Sequence, residues 1–298
     1  MARIALRVRP AEHSDLPCLL AFGEELRDQL LPTTEMGGRV RGVPAEARAR
    51  AVILAKEPGV LAGVALAEAV FRAVDPDITV VVKKSDGDRL EVQDVVLELA
   101  GPAGSILTAE RTALNFLQRL SGIATQTAAF VKAVAGTGTG ILDTRKTTPG
   151  WRWLEKAAVR AGGGTNHRTG LYDMVMVKDN HLPKAGGLPG LQAGIRALQA
   201  AHPGMKVELE ADTVEQVRAF LTLHGVSFIL LDNMSLEEMR ECVVLAQDSG
   251  VKLEASGGIT LERLPEIAAT GVDFISSGAL THSVKALDLS LDFSGTEF

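Results

Sequence analysis

Beyond residue 140 the chain alternates short apolar runs with longer amphipathic segments. Each run ends in polar, charged or glycine residues, and the six runs are GILDTRK from Gly140, MVMVKDN from Met174, KVELEAD from Lys206, SFILLDN from Ser227, KLEASGG from Lys252 and DFISSGA from Asp273. The intervening segments have helical spacing, and two of them open on capping boxes, Thr213 with Gln216 and Ser235 with Glu238. Strands that alternate with helices across short turns predict parallel βα units.

Six parallel strands can form either an open doubly wound sheet or a barrel. In an open sheet the ligand-binding residues gather at the one point where the strand order reverses. Here polar residues follow nearly every strand, which is where the active sites of barrels are built. We therefore expect an α/β barrel in this part of the chain.

The chain before residue 108 has a mixed pattern. Residues 44–55 predict a strand and residues 61–72 a helix, and residues 78–99 predict two further strands joined by a turn. This order indicates a small α+β unit with a partly antiparallel sheet. A long helix is expected to begin at Thr108, whose hydroxyl can cap it, and Gly122 is expected to weaken the middle of that helix.

Composition narrows the class of protein. The chain has 298 residues, of which 46% are hydrophobic and 23% charged, so it is expected to fold around a sizeable core. A formal net charge of −6 argues against general binding of nucleic acid or of an anionic membrane. The two cysteines, Cys18 and Cys242, exclude a disulfide framework, and no segment has the pattern of a signal peptide or a membrane span. We expect a soluble, cytoplasmic protein.

The ends of the predicted strands carry an excess of positive charge. The cationic candidates are Arg145, Lys146 and Lys178, together with His167 and Arg168 from the loop before the second of these strands. Because the chain is acidic overall, this local excess indicates a substrate with several negative charges.

Two carboxylates end neighbouring strands in the same region. Glu210 and Asp232 can hold Mg²⁺ or the hydroxyls of a sugar, or they can form structural ion pairs with Lys178 or Arg145. Glu208, on the same strand as Glu210, is expected to point to the opposite face and away from the strand ends.

Two glycine turns complete the set of candidate binding elements. Ser256-Gly257-Gly258 and Ser277-Gly278-Ala279 follow the last two strands, where barrels often bind phosphate. Glycines there let backbone N–H groups approach an oxyanion, and the following helix adds its positive end. The alternative is that these glycines only turn the chain.

Other classes of function remain open at this point. Lys178 at the end of an apolar strand resembles the Schiff-base lysine of an aldolase, although other cations crowd the same region. A barrel that binds a phosphorylated metabolite without converting it is a further alternative. The six histidines form no HExxH and the cysteines form no CxxC, so the sequence gives no zinc motif.

Several ordered segments resemble one enzyme family. They are AERTALNFLQRLSGIAT from Ala109, DTRKTTPG from Asp143, RAGGGTNHRTGLYDMVMVKDNH from Arg160, EASGGI from Glu254 and GVDFISSGALTHS from Gly271. Together they closely resemble quinolinate phosphoribosyltransferase, over about residues 59–293. The resemblance implies an N-terminal α+β sandwich over residues 1–108, to which residues 283–298 return, and an incomplete α/β barrel over residues 109–282.

The resemblance also implies an activity, namely transfer of a phosphoribosyl group from phosphoribosyl pyrophosphate to quinolinate with decarboxylation, in the biosynthesis of NAD. It implies Mg²⁺ as cofactor and a homodimer with a shared active site, with no nucleic-acid or membrane partner. Assembly beyond the dimer is left open.

The resemblance assigns roles to the candidate residues. Arg111 from the neighbouring subunit would meet a quinolinate carboxylate, and Lys146 would lie near the pyrophosphate. The other quinolinate residues would be Thr144, Arg145, His167, Arg168 and Lys178. Glu210 and Asp232 would hold the ribose hydroxyls and Mg²⁺, directly or through water. Both glycine turns, Ser256-Gly257-Gly258 and Ser277-Gly278-Ala279, would bind the 5′-phosphate.

Overall fold

A computed structural model of the protein describes Val43 and residues 46–178 and 187–297, with side chains up to residue 294. Predictions that fall on residues 1–42, including the one for Cys18, lie outside the described residues. The chain divides into two compact units. The parallel-sheet unit contains Ala129–Trp153 and Gly164–Ser283, and the antiparallel-sheet unit contains Leu154–Gly163 together with the described residues up to Ala128 and from Val284.

The strands of the four-stranded sheet come first and last in the chain order, and those of the six-stranded sheet lie between them. In chain order they are β1 (Arg48–Ala55), β2 (Gly59–Val60), α1 (Val64–Val74), β3 (Thr79–Val82), β4 (Arg89–Leu90), β5 (Val95–Pro102), α2 (Ala103–Ala133), β6 (Gly140–Leu142), α3 (Arg152–Ala161), β7 (Met174–Val177), α4 (Gly187–Ala201), β8 (Lys206–Ala211), α5 (Val214–Phe220), β9 (Phe228–Asp232), α6 (Leu236–Ala246), β10 (Lys252–Ser256), a 3₁₀ turn (Leu261–Arg263), α7 (Leu264–Ala268), β11 (Phe274–Ser276), α8 (Ala279–His282) and β12 (Leu289–Glu297).

The antiparallel-sheet unit contains a four-stranded sheet in the order β12-β1-β5-β3. All its strand pairs are antiparallel, and β12 pairs with β1 from Arg48 opposite Glu297 to Ala55 opposite Leu289. The first part of β1 alternates exposed and buried positions, so that small side chains such as Ala49 face the core. The expected antiparallel sheet and the return of the C-terminal segment to it are therefore confirmed.

Helix α2 starts earlier than the sequence pattern indicates. It begins at Ala103, and Thr108 lies inside it, where its hydroxyl donates to the Gly104 carbonyl oxygen at 2.8 Å. The prediction that Thr108 caps the helix is wrong, because the apolar residues Ala103 and Ile106 are themselves buried and extend the helical face toward the N-terminus. Gly122 has a packing role: a Cβ there would lie 2.2 Å from the Lys285 carbonyl oxygen.

The parallel-sheet unit contains six strands in the order β6-β11-β10-β9-β8-β7. Every neighbouring pair is parallel, and Thr165 adds one isolated parallel bridge to Leu142 beside β6. In the described residues the strand series does not close between β6 and β7. The fold class is confirmed as α/β, with parallel βα units in an incomplete barrel.

The local signals for the helices of this unit are present as expected. Thr213 and Gln216 form a capping box at the start of α5, and Ser235 and Glu238 form one at the start of α6. Because all six strands are parallel, their carboxyl ends meet at one end of the sheet. Among the described residues, no helix combines the length and hydrophobicity that crossing a membrane requires.

Candidate active site

A cleft of about 640 Å³ opens at the carboxyl ends of the parallel strands. This volume lies within the range of small-molecule sites. The residues that line it are Asp143, Thr144, Arg145, Lys146, His167, Arg168, Met176, Lys178, Glu210, Leu230, Asp232, Asn233, Glu254, Ser256, Gly257, Gly258 and Ser276. The structure therefore brings together the predicted cations of this unit, both predicted carboxylates and the first glycine turn.

The cations of the cleft differ in their exposure. Arg145 and Lys146 follow β6 and are exposed, whereas Arg168 is half-buried. Burial lowers the pKa of Arg168, and so does the positive charge of the nearby Arg145. Two guanidinium groups that repel each other inside one cleft favour the binding of an anion between them.

Lys178 and Glu210 form an ion pair at the ends of neighbouring strands. Nζ of Lys178 lies 2.7 Å from Oε2 and 3.0 Å from Oε1 of Glu210. The lysine side chain is 48% exposed, so this pair is worth about 1 kcal/mol or less and can rearrange when a ligand binds. A Schiff-base lysine is instead desolvated or lies beside another cation, whereas Lys178 is about half exposed and contacts a carboxylate.

A second group of charged residues lies deeper in the unit. Glu208 and Glu254 are 0% and 1% exposed, and both carboxylates face the ring of His167. Nε2 of His167 lies 3.2 Å from Oε2 of each glutamate and 3.3 Å from Oε1 of Glu208. We refer to His167, Glu208 and Glu254 as the buried triad.

The expectation that Glu208 faces away from Glu210 is wrong. Residues two apart on a strand share a face, so Glu208 and Glu210 both point to the inside of the unit, with Glu208 deeper. Glu254 comes from β10 and was not among the predicted residues. The sequence signal for both was a glutamate flanked by apolar residues inside a buried strand, as in Leu253-Glu254-Ala255.

Charges in the buried triad shift its protonation. Burial disfavours the charged form of His167, but the hydrogen bonds and negative charges of Glu208 and Glu254 outweigh burial and raise the pKa of His167 to about 10. Burial also raises the pKa of Glu208, against the hydrogen bond from His167, which lowers it.

Asp143 fixes the loop that carries His167. Its buried carboxylate accepts from the His167 backbone N–H at 2.8 Å and from Nδ2 of Asn166 at 2.6 Å. The loop beyond Thr165 is thereby held beside the end of β6. Asp143 was not predicted, although it directly precedes the predicted Thr144 and Arg145.

The turn after β10 has the geometry of an anion-binding loop. Gly257 and Gly258 have φ values of 89° and 58°, a region that glycine adopts without strain. A Cβ on Gly257 would lie 2.2 Å from Oδ1 of Asn233, whose backbone N–H donates to the Ser256 carbonyl oxygen at 3.0 Å. Consecutive backbone N–H groups in such turns form concave sites for phosphate oxygens. Asn233 was not predicted; its own φ of 55° is tolerated because asparagine adopts this region more readily than most residues.

The second glycine turn contacts Lys146. A Cβ on Gly278 would lie 2.8 Å from Cδ of Lys146, and the Thr281 hydroxyl donates to the Lys146 carbonyl oxygen at 2.7 Å. Ser277 is buried, and the Ala279 N–H donates to its hydroxyl at 3.3 Å. The turn therefore positions Lys146, and its predicted binding of phosphate stays a prediction.

Arg111 lies in the antiparallel-sheet unit, on helix α2. Its side chain is 69% exposed, and Nη2 lies 3.6 Å from Oε1 of Glu110. The role predicted for Arg111 requires a second subunit and stays a prediction.

Known proteins resemble this chain along most of its length. Residues 33–121 match the N-terminal domain of quinolinate phosphoribosyl transferase, and residues 123–292 match its C-terminal domain. The chain is 47% identical over 247 residues to the probable carboxylating nicotinate-nucleotide pyrophosphorylase of Bacillus subtilis (strain 168), covering 83% of this chain and 84% of that protein. It is 44% identical over 263 residues to the chloroplastic carboxylating nicotinate-nucleotide pyrophosphorylase of Arabidopsis thaliana, covering 84% of this chain and 75% of that protein.

Solved structures agree with the sequence comparison. The crystal structure of NadC from Streptococcus pyogenes superposes with a TM-score of 0.85 at 36% identity, covering 96% of this chain and 99% of that one. The nicotinate-nucleotide pyrophosphorylase from Francisella tularensis gives a TM-score of 0.84 at 33% identity, covering 97% of this chain and 100% of that one. Both domains of the family match in order and the fold agrees, so the chain belongs to the quinolinate phosphoribosyltransferase family.

Proposed function

We propose that the protein transfers the phosphoribosyl group of phosphoribosyl pyrophosphate to the ring nitrogen of quinolinate and releases nicotinate mononucleotide, pyrophosphate and CO₂. The observation that carries this proposal is that four cationic side chains, a Gly-Gly turn and the carboxylates of Glu210 and Asp232 line one cleft. A dicarboxylate and a phosphorylated sugar together need this combination of charges. Membership of the family supports the same assignment.

The quinolinate end of the cleft is assigned to its cationic side. Arg145, Arg168 and Lys178 offer charge-assisted hydrogen bonds to the two carboxylates, and Thr144 adds a hydroxyl. Lys178 would then exchange part of its contact with Glu210 for a contact with the substrate.

The phosphoribosyl pyrophosphate end is assigned to the side that carries the glycine turn. The N–H groups of Gly257 and Gly258 suit the 5′-phosphate, and Glu210 and Asp232 suit the ribose hydroxyls. Lys146 is exposed and would contact the pyrophosphate. Thr281, two residues after the turn of Ser277, Gly278 and Ala279, donates a hydrogen bond to the backbone carbonyl of Lys146.

Mg²⁺ is proposed as the cofactor because the donors of the cleft fit it. Glu210 and Asp232 offer carboxylate oxygens, which a hard cation prefers, and the cleft has room for a metal held mainly by the substrate's own phosphates. When bound, the ion would neutralise charge on the pyrophosphate.

The reaction requires stabilisation of a negative charge on the leaving group and of a positive charge on the ribose. As the bond from C1 of the ribose to the pyrophosphate oxygen breaks, Lys146 stabilises the leaving anion, and the carboxylates of Glu210 and Asp232 stabilise the positive charge on the ribose. The quinolinate nitrogen then donates its electron pair to C1. Once the ring nitrogen is positive, the bond to the C2 carboxylate breaks, its electrons enter the ring, CO₂ leaves and a proton from water replaces it.

The test is release of labelled CO₂ from quinolinate labelled in its C2 carboxylate. With phosphoribosyl pyrophosphate and Mg²⁺ we expect one CO₂ for each nicotinate mononucleotide formed, and a chelator that removes Mg²⁺ should stop the reaction. Turnover of nicotinate or another base, with none of quinolinate, would instead assign the protein to a different phosphoribosyltransferase.

A homodimer with a shared active site and a cytoplasmic location belong to the same proposal. The resemblance, which gives Arg111 a role in the partner's cleft, supports the dimer. The small number of cysteines supports the cytoplasmic location. Sedimentation analysis tests the dimer, and cell fractionation tests the location.

A further inference from the structure

Both ring nitrogens of His167 are engaged by the protein itself. Nδ1 accepts a hydrogen bond from the Arg168 backbone N–H at 2.8 Å. Nε2 faces the carboxylates of Glu208 and Glu254, with 3.2 Å to an oxygen of each. The ring is 8% exposed although it lines the cleft. A substrate carboxylate would therefore have to displace one of these contacts to reach His167.

These contacts determine which nitrogen carries the proton. Since Nδ1 accepts from an N–H group, it is unprotonated, and the proton of the neutral ring is on Nε2. This proton is directed at the two buried carboxylates. The three groups also have the spacing of metal ligands. However, a metal on Nε2 would require a proton on Nδ1, opposite the Arg168 N–H, so the arrangement fits a donated proton better than a metal ion.

The position of Arg168 depends on this loop. Its guanidinium donates to the Met174 carbonyl oxygen and to the sulfur of Met176, at 3.4 Å and 3.3 Å. Both contacts are weak, the first because it is long and the second because a thioether is a poor acceptor. The nearby charge of Arg145 also repels Arg168. The carboxylates of Glu208, Asp173 and Glu210 attract Arg168. Backbone contacts at His167 and Arg168 add to this attraction in orienting the side chain.

We propose that Glu208 and Glu254 are positioning residues of the quinolinate site. Their carboxylates fix the His167 ring by attracting its Nε2–H. The ring then accepts the Arg168 backbone N–H at Nδ1, and Arg168 is thereby directed into the cleft. His167 then acts from behind the pocket rather than as a ligand of the substrate. The proposal rests on the proposed function in one respect, the binding of quinolinate by Arg168.

One property of the buried triad opposes this arrangement. The two carboxylates favour a second proton on the ring and raise the pKa of His167 to about 10. That proton would have to sit on Nδ1, where it would face the Arg168 N–H at a nitrogen-to-nitrogen distance of 2.8 Å. Two N–H donors cannot face each other at this distance, so Nδ1 stays unprotonated, and the proton of the ring is on Nε2, directed at the carboxylates.

The first experiment reads the protonation of His167 directly. Long-range ¹H–¹⁵N NMR of the ligand-free protein at neutral pH, assigned with His167→Gln, distinguishes the two neutral tautomers and the doubly protonated ring. We expect protonated Nε2 and unprotonated Nδ1. A proton on Nδ1, in either a neutral or a charged ring, would overturn the proposal. This measurement does not depend on the enzyme's substrate.

The second experiment is a double-mutant cycle on the KM for quinolinate. His167→Ala and Glu254→Leu should each raise this KM about tenfold, the usual effect of losing a group that orients a binding residue, and leave the KM for phosphoribosyl pyrophosphate unchanged. The double variant should be no worse than His167→Ala, because Glu254 acts through His167. Glu254→Gln should restore most of the loss, since its carbonyl oxygen still accepts from Nε2–H.

Exposed Glu241 provides the matched control, because Glu241→Gln removes a carboxylate that pairs only with an exposed arginine, Arg218, among the contacts shown. Two results would mean that His167 binds quinolinate itself. One is additive effects of the two substitutions on the KM for quinolinate. The other is a normal KM in Glu254→Leu together with a raised KM in His167→Ala. Lack of any turnover of quinolinate by the wild type would overturn the proposed function, while the NMR result would still decide the arrangement of the buried triad.

Discussion

Glu208 and Glu210 show how two residues of one type, two positions apart, acquire different chemistry. Glu210 ends its strand, is 12% exposed and pairs with Lys178, so its contact can change when a ligand arrives. Glu208 is fully buried, and its carboxylate has only the buried triad around it in the contacts described. Depth along one strand therefore separates a group suited to bind substrate from a group suited to hold another side chain in place.

Gly257 gives a residue-scale prediction. Gly257→Ala places a Cβ against Asn233 at a positive φ, which should distort the turn and raise the KM for phosphoribosyl pyrophosphate about tenfold, or about 1.4 kcal/mol. Gly250→Ala is the matched control, because Gly250 also has a positive φ, 74°, but nothing lies within 4 Å of its Cβ position. Steady-state kinetics of both variants checks the prediction. An equal effect in the two would trace the loss to backbone strain in general.

Lys146 gives a second prediction at this scale. If its ammonium stabilises the leaving pyrophosphate, Lys146→Ala should lower kcat by about 10²–10³, the usual loss for one donor that stabilises a developing anion. Binding of quinolinate alone, measured by calorimetry, should change little, since other cations of the cleft hold that substrate. A kcat within a few fold of the wild type would contradict the assigned role.

Helix α2 contains a glycine that is required by packing. Gly122 lies in the middle of the helix, and the backbone at Lys285 packs directly on it. Packing against Lys285 therefore matters more at Gly122 than the low helix propensity of glycine, because this position has no room for a side chain.

Two glycines of this one helix allow a matched stability test. Gly122→Ala should lower the free energy of unfolding by about 1–3 kcal/mol, the usual cost of forcing atoms into a packed site. Gly104→Ala, with nothing within 4 Å of the added Cβ, should raise it by about 0.4–1 kcal/mol through the lower entropy of the unfolded chain. Urea denaturation of the two variants measures both changes. Changes of the same sign would show that helix propensity, not contact with the Lys285 carbonyl, decides at Gly122.

The sequence pattern predicted the helices and strands better than it predicted how deeply individual side chains are buried. The six strands of the parallel sheet and the capping box at Thr213 were predicted from local sequence pattern, and the structure contains them. The start of α2 and the contact at Gly122 depend on tertiary packing, which local pattern does not contain. The candidate residues of the cleft were recognised because they follow strands, whereas Glu254 and Asp143 act through buried hydrogen bonds that only the fold reveals.

At the scale of the whole molecule, the proposed dimer assigns a function to Arg111. This side chain is exposed on α2, and an exposed helical arginine usually contributes little. In a shared active site its guanidinium could bind a quinolinate carboxylate through two parallel hydrogen bonds, which lysine cannot reproduce.

Complementation between two impaired variants, measured at a low concentration of quinolinate, tests the shared site. Arg111→Lys should fold and dimerise normally but lose about 1.5–3 kcal/mol of quinolinate binding, the order of a hydrogen bond to a charged group. Mixed with Lys146→Ala, it should regain part of the activity, because a mixed dimer contains one site with both native residues. A mixture that stays inactive after subunit exchange has been confirmed would exclude a site shared through Arg111.

The pairing of β12 with β1 also has a consequence for biosynthesis. β1 lies between β5 and β12 in the sheet, but β12 is translated only after every strand of the parallel-sheet unit. A nascent chain on the ribosome therefore exposes the unpaired edge of β1 for most of its synthesis, and open edges of this kind invite association with other chains. The antiparallel sheet is thus completed late, and a chaperone that shields β1 during translation would protect this edge until β12 is available.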